Sequence, residues 1–288
     1  MNMPLIDGRT GKDPWEDICA EAGLRSPFPF VSPPISKNLI AKYAPRHEPR
    51  LIIPIYSKQE LERKFPFLYL HHLAPLRIDN GTAVLTKAEL FQTLEPIRKD
   101  NICLEHDKKR LSSLQTEVQT EAKYLAMALH SGVFQDAFSL DSDIRLELGI
   151  FGKMNLPSRE IHLIDPGEGK QYRVHLSNVQ FELDFSLEDD QYIYLIEAKI
   201  GKPSAKSFNI LQLFYPYALV QDKAQKDKKQ VRTFFVNISP GTDHSIDYDF
   251  HEYSFTIPFV VNSIEFREGM KVRLVFETGV NSRLEHLA

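Results

Sequence analysis

The stretch Val179–Lys199, VQFELDFSLEDDQYIYLIEAK, alternates apolar and acidic residues through its first half and closes on Glu-Ala-Lys. Phe181, Leu183 and Phe185 alternate with Glu182 and Asp184, the period-two pattern of a strand. The polar run Glu188-Asp189-Asp190 reads as a turn. Beyond it, Ile193 and Leu195 lead into Glu197 and Lys199 on one face of a second strand. Tyr192, Tyr194, Ile196 and Ala198 take the other face. With an even connecting loop, Asp184 falls opposite Leu195 and Glu182 opposite Glu197. All four then project from one side, because cross-strand partners share a face. Asp184 and Glu197 become diagonal neighbours, roughly 7–8 Å apart at the backbone. Two carboxylates so placed can close on one hard cation; magnesium takes oxygen ligands at about 2.0–2.1 Å. Lys199 sets a positive charge beside them.

A solvated hairpin with an idle charged face is the competing interpretation, and for Glu-x-Lys alone it is the ordinary one. Here the charged face continues from Ile193 and Leu195. A strand that is apolar on both sides is buried on both sides, and buried charges need a partner or a metal.

Composition sets the frame. A chain of 288 residues forms one large domain or two smaller ones, and 42% hydrophobic with 11% aromatic residues describes a globular protein. The two cysteines, Cys19 and Cys103, make neither a disulfide framework nor a metal-ligand spacing. The sequence has no charged-then-apolar leader and no apolar run of about 18 residues, so a soluble, cytoplasmic protein is expected. A net charge of -4 argues against a broadly basic, nucleic-acid-coating surface. The basic residues nevertheless gather after the carboxylates: Lys199, Lys202, Lys206, Lys223, Lys226, Lys228, Lys229 and Arg232 face only Asp222 and Asp227. That distribution suits a phosphate-binding groove, or a solvated charge run.

Residues 1–105 read as an N-terminal α+β region. Helices are expected over Pro14–Ala22 and Ser36–Tyr43, and a strand over Leu51–Ile55. Ser57-Lys58-Gln59-Glu60 opens a helix to Lys64, Asn80-Gly81 turns a hairpin within Leu76–Leu85, and Thr86-Lys87-Ala88-Glu89 opens a helix to Leu94. This order suits a small winged-helix-like DNA-recognition module, and equally a decoration on a catalytic domain spanning 106–288. In that second domain, Leu111, Leu114, Val118, Leu125 and Leu129 stripe a helix from Lys108 to His130, with Glu117 and Glu121 at its border. Strands are expected over Ile144–Phe151 and Glu160–Ile164, followed by a turn at Asp165-Pro166-Gly167. A helix from Ser204 carries Phe208, Leu211, Tyr215 and Leu219 on one face, together with Gln212. Pro216 is expected to kink or divide it. Val231–Ile238, Tyr253–Val261 and Val272–Phe276 read as strands that extend the sheet or form a separate extension.

Glu121 on a helix, Asp184 on a strand, Glu197-Ala198-Lys199 on the next strand and Gln212 on the following helix resemble, in that order, the PD-(D/E)XK nuclease superfamily. The likeness covers roughly residues 108–220, and the flanks are more loosely similar to type II restriction endonucleases. It implies a restriction-endonuclease-like α/β core: a central mixed sheet flanked by helices, with C-terminal strands added. It implies an Mg²⁺-dependent endonuclease, with Mn²⁺ as a substitute, that hydrolyses double-stranded DNA and works as a homodimer. Asp184 and Glu197 would hold the metal with the Ala198 carbonyl. Lys199 would position or help deprotonate the attacking water. Glu121 would reach the metal through water, and Gln212 would orient the lysine end. Leu183 stands where the motif has proline, Glu182 competes with Asp184, and Glu117 competes with Glu121. A structure-specific repair or junction nuclease on the same core is one alternative. A catalytically inactive DNA-binding protein is another.

Overall fold

The structure, a computed structural model, describes residues 13–43, 56–97, 102–107, 120–141, 143–201, 206–241 and 244–277. The N-terminal region begins with helices α1 (Pro14–Glu21), α2 (Lys37–Tyr43), α3 (Lys58–Lys64) and α4 (Pro66–Leu70). Strands β1 (Ala74–Arg77), β2 (Ala83–Thr86) and β3 (Phe91–Thr93) follow. The Asn80-Gly81 hairpin forms as expected, pairing Ala74 with Thr86 through Arg77 with Ala83. At the start of α3 the Ser57 side chain accepts the Glu60 N–H at 3.1 Å, and Glu60 returns to the Tyr56 N–H at 2.6 Å.

The second expected capping box starts no helix. Thr86 Oγ1 accepts the Ala88 N–H at 3.0 Å and Glu89 Oε1 accepts the Phe91 N–H at 3.2 Å. These local turns divert the chain, and Phe91–Thr93 becomes a strand instead. The expected strand over Leu51–Ile55 lies outside the described residues.

Then come β4 (Ile102–Asp107), α5 (Glu121–His130), α6 (Val133–Ala137), β5 (Glu147–Leu148), β6 (Gly152–Leu156), β7 (Arg159–Ile164), β8 (Gln171–Leu176) and β9 (Val179–Leu183). The chain ends with β10 (Phe185–Glu188), β11 (Tyr192–Ile200), β12 (Ser207–Asn209), α7 (Leu211–Lys226), β13 (Gln230–Pro240), β14 (Ser245–Phe255) and β15 (Ile264–Glu277). Seven strands form a mixed sheet in the order β4-β15-β14-β13-β11-β10-β5. The pairs β11–β13 and β15–β4 are parallel and the others antiparallel. Separate antiparallel pairs join β6 to β9, β7 to β8 and β3 to β12.

Helices cover both faces of this sheet, which makes the protein a layered α/β structure. On one side Tyr194, Ile196 and Ala198 of β11 pack with Leu125 and Ala128 of α5 and Phe134 of α6. On the other, Ile193 and Leu195 pack with Leu211, Phe214 and Ala218 of α7. The two-sided burial expected for β11 is therefore present. Trp15, Ile18, Ile40, Leu68 and Leu85 belong to that same α7-side core, and β4 spans the expected boundary between residues 105 and 106. Among the described residues no helix is long and apolar enough to cross a membrane.

Other expectations near the site need correction. The strand read as Val179–Phe185 breaks at Asp184: β9 pairs with β6, and β10 pairs with β11. Leu183 consequently lies in the α7-side core, whereas Phe185 lies in the α5-side core. Only Glu147–Leu148 is a strand within 144–151, and β14 ends at Phe255 rather than continuing to Val261. Ser207–Asn209 is a strand, so the following helix starts at Leu211, where Asn209 Oδ1 accepts the Leu211 N–H at 2.9 Å. Pro216 lies inside α7, which runs undivided to Lys226. The C-terminal strands extend the main sheet.

Candidate active site

The site stands where β10 and β11 part. Their ladder runs from Glu188↔Ile193 to Phe185↔Ile196. Continued by one residue it would set Asp184 opposite Glu197, two positions from the expected register. The shift comes from the turn. Asp189 Oδ1 accepts the Gln191 and Tyr192 N–H groups, each at 2.7 Å, so Glu188 stays in the strand and three residues make the connection. A two-residue displacement preserves facing. Asp184 and Glu197 still point to one side, and Lys199 Nζ reaches both, at 3.7 Å from Asp184 Oδ2 and 2.7 Å from Glu197 Oε1.

Each carboxylate is held. Beyond the last ladder pair, the Ala198 N–H donates to Asp184 Oδ2 at 2.8 Å, so the aspartate side chain takes the place of a missing strand neighbour. Gln212, in the first turn of α7, donates through Nε2 to Glu197 Oε1 at 2.5 Å. Side-chain exposure grades across the cluster, from 6% for Glu197 through 19% for Asp184 to 38% for Lys199. The buried end faces the core and the ammonium end faces solvent.

This burial governs the protonation states. Desolvation pushes the Glu197 carboxyl up to about 8; Asp184 adds to the rise, while Lys199 and Gln212 oppose it. Burial likewise raises Asp184, against Lys199 and the Ala198 N–H. Burial alone would lower Lys199, but the Glu197 and Asp184 carboxylates outweigh it and the net shift is upward. Lys199 is thus an ammonium in this arrangement, the form that positions a water or offsets charge on a phosphate.

Glu121, in the first turn of α5, is near enough for its charge to raise both Asp184 and Lys199. No hydrogen bond or ion pair joins it to the cluster among the described residues. Glu182 is exposed on β9 opposite Lys153, which leaves Asp184 as the member of that pair in the cluster. Glu117 lies outside the described residues. The expected basic groove is partly consumed by structure: Lys229 pairs with Glu188 at 2.5 Å and Arg232 with Glu252 at 2.8 Å.

The donor set suits a hard divalent cation. Two carboxylates share one ammonium in a buried place, and Gln212 Oε1 is buried with no hydrogen-bond partner. An added cation would offset the excess negative charge. No group of three or more His, Cys, Asp or Glu side chains is placed to hold a metal among the described residues, so Glu121 does not complete a cage. An ion would rest on Asp184 and Glu197, with the Ala198 carbonyl and water completing its shell.

Fold and cluster together define a mixed α/β protein with a carboxylate–lysine site at a strand junction. The chain belongs to the family described as Domain of unknown function (DUF6997), whose model matches residues 86–271. That span holds every site residue named above. No curated protein and no solved structure matches the chain.

Proposed function

We propose that the protein is an Mg²⁺-dependent DNA endonuclease of type II restriction type, built on a restriction-endonuclease-like core. The observation that carries this is the convergence of Asp184, Glu197 and Lys199 on one sheet face, with Gln212 fixing the buried carboxylate. A bound divalent ion supplies a water whose pKa falls from about 15.7 towards about 7, together with positive charge at phosphate oxygens. Asp184 and Glu197 hold the ion. The Ala198 N–H fixes the Asp184 carboxylate, and Gln212 fixes that of Glu197. Lys199 stays protonated and offsets charge building on the phosphate during attack. Its exposed end faces the side from which a substrate enters.

The test is incubation with plasmid and phage DNA, with Mg²⁺ or with EDTA, followed by mapping of fragment ends. Cutting that needs Mg²⁺ and is lost in Asp184→Ala is expected. Metal-independent cutting, or an active Asp184→Ala, overturns the reading. Cuts at fixed sequences in intact duplex favour a restriction role, and cuts at branches favour a junction nuclease. One observation favours a silent DNA-binding protein instead: Lys199 already bridges both carboxylates. DNA binding without cleavage would select that reading. The homodimer is part of the proposal, and light scattering of the purified protein measures it.

A further inference from the structure

The sheet face that carries Glu197 and Lys199 extends sideways. Lys199 pairs with Asn237 on β13, Asn237 with Asp249 on β14, and Asp249 with Lys271 on β15. Cross-strand partners share a face, so this polar row continues the candidate site. Ten described polar or charged side chains are buried. Ser32, Thr86, Ser186, Glu197, Ser207, Asn209, Thr233 and Ser245 have hydrogen-bond partners. Asn237 and His251 are the two with no hydrogen-bond partner among the described residues; His251 Nδ1 is shut off from solvent, whereas the side-chain amide of Asn237 still reaches it. They are diagonal neighbours, because Asn237 opposes Asp249 and His251 opposes Phe235.

An amide that has no protein partner but still reaches solvent keeps its donors free for a ligand oxygen. Its place in register with Lys199, the most exposed member of the cluster, sets those donors at the candidate site. Resting on the nuclease reading, we propose that Asn237 is a substrate-binding residue, its carboxamide donating to an oxygen of the phosphodiester that Lys199 faces. The contact exists in the ground-state complex, so its loss acts on KM rather than kcat.

The experiment compares wild type, Asn237→Ala and Asn237→Leu in Mg²⁺-dependent cleavage of plasmid DNA, with Tm measured for each. Both variants should raise KM about tenfold, with kcat within about threefold of wild type. Asn237→Leu should melt close to wild type, because the amide it removes makes no hydrogen bond within the protein. The alanine variant adds no bulk, so it separates the lost hydrogen bond from obstruction. An unchanged KM in active variants overturns the proposal and leaves the nuclease reading intact. So does a lower Tm for Asn237→Leu, which would make the amide structural. A wild type that cuts no DNA overturns both.

Discussion

Two clusters on the same sheet face contain two carboxylates and a lysine, yet they differ in kind. Asp184, Glu197 and Lys199 put one ammonium between two carboxylates, with Glu197 only 6% exposed. In the other, Asp247 and Asp249 on β14 share Lys271 at 3.3 and 3.6 Å, and Arg273 stands 3.8 Å from Asp247. That cluster has charge balance, with side chains 20–42% exposed. Burial raises Asp249 as well, but Lys271 opposes that rise and neither aspartate there is as buried as Glu197. Burial without balance leaves a group that takes up a proton or a cation, and this combination points to chemistry.

The largest effect should separate the clusters by activity. Lys199→Ala and Glu197→Gln should each lower Mg²⁺-dependent cleavage by about a thousandfold or more, measured as initial rates of plasmid nicking, with DNA binding retained. Equal activity in either variant would dissolve the distinction.

Next comes a stability effect that belongs to β14 but not to its carboxylates. Burial lowers His251 from 6.5 to about 4, so between those values the unfolded chain holds more protons than the folded one. The share of stability that His251 controls should therefore be full above pH 6.5 and fall by up to about 3 kcal/mol as pH drops through 4. In denaturant melts at several pH values, the difference between wild type and His251→Phe should show this slope, since the opposite slope from Glu197, raised to about 8, is common to both.

A smaller effect concerns the cation itself. Because Glu197 is raised to about 8, a divalent ion must displace a proton below that pH. Apparent Mg²⁺ affinity, read from the Mg²⁺-dependent rise in Tm, should increase by up to about tenfold per pH unit from 6 to 8. A flat profile would place the ion elsewhere. The smallest change is expected of Lys271→Met, which loses a partly buried partner of two aspartates: about 1 kcal/mol by denaturant melt, and cleavage within about threefold of wild type.

Facing along β11 was legible in the sequence because period-two alternation is a local property, and it correctly put Asp184, Glu197 and Lys199 on one side. Gln212 was legible for the same reason, as a polar residue on an apolar helix face. Register was not, since it depends on how Asp189 closes the turn, a choice between hydrogen bonds that alternation does not encode. The break at Asp184 was hidden by the unbroken Phe181–Leu183–Phe185 pattern, which continues although the two halves pair with different strands. Ser207–Asn209 looked helical because Phe208 fits the stripe of Leu211 and Tyr215. Its pairing with β3, over a hundred residues earlier in the chain, decides otherwise. Asn237 gave no signal, because its place in register with Lys199 and its lack of a protein partner are tertiary facts.

The most direct measurement is an anomalous difference map from crystals soaked in Mn²⁺. The account predicts a peak between the Asp184 and Glu197 carboxylates and none between Asp247 and Asp249. A peak at the second pair alone, or none at the first under saturating Mn²⁺, would contradict it.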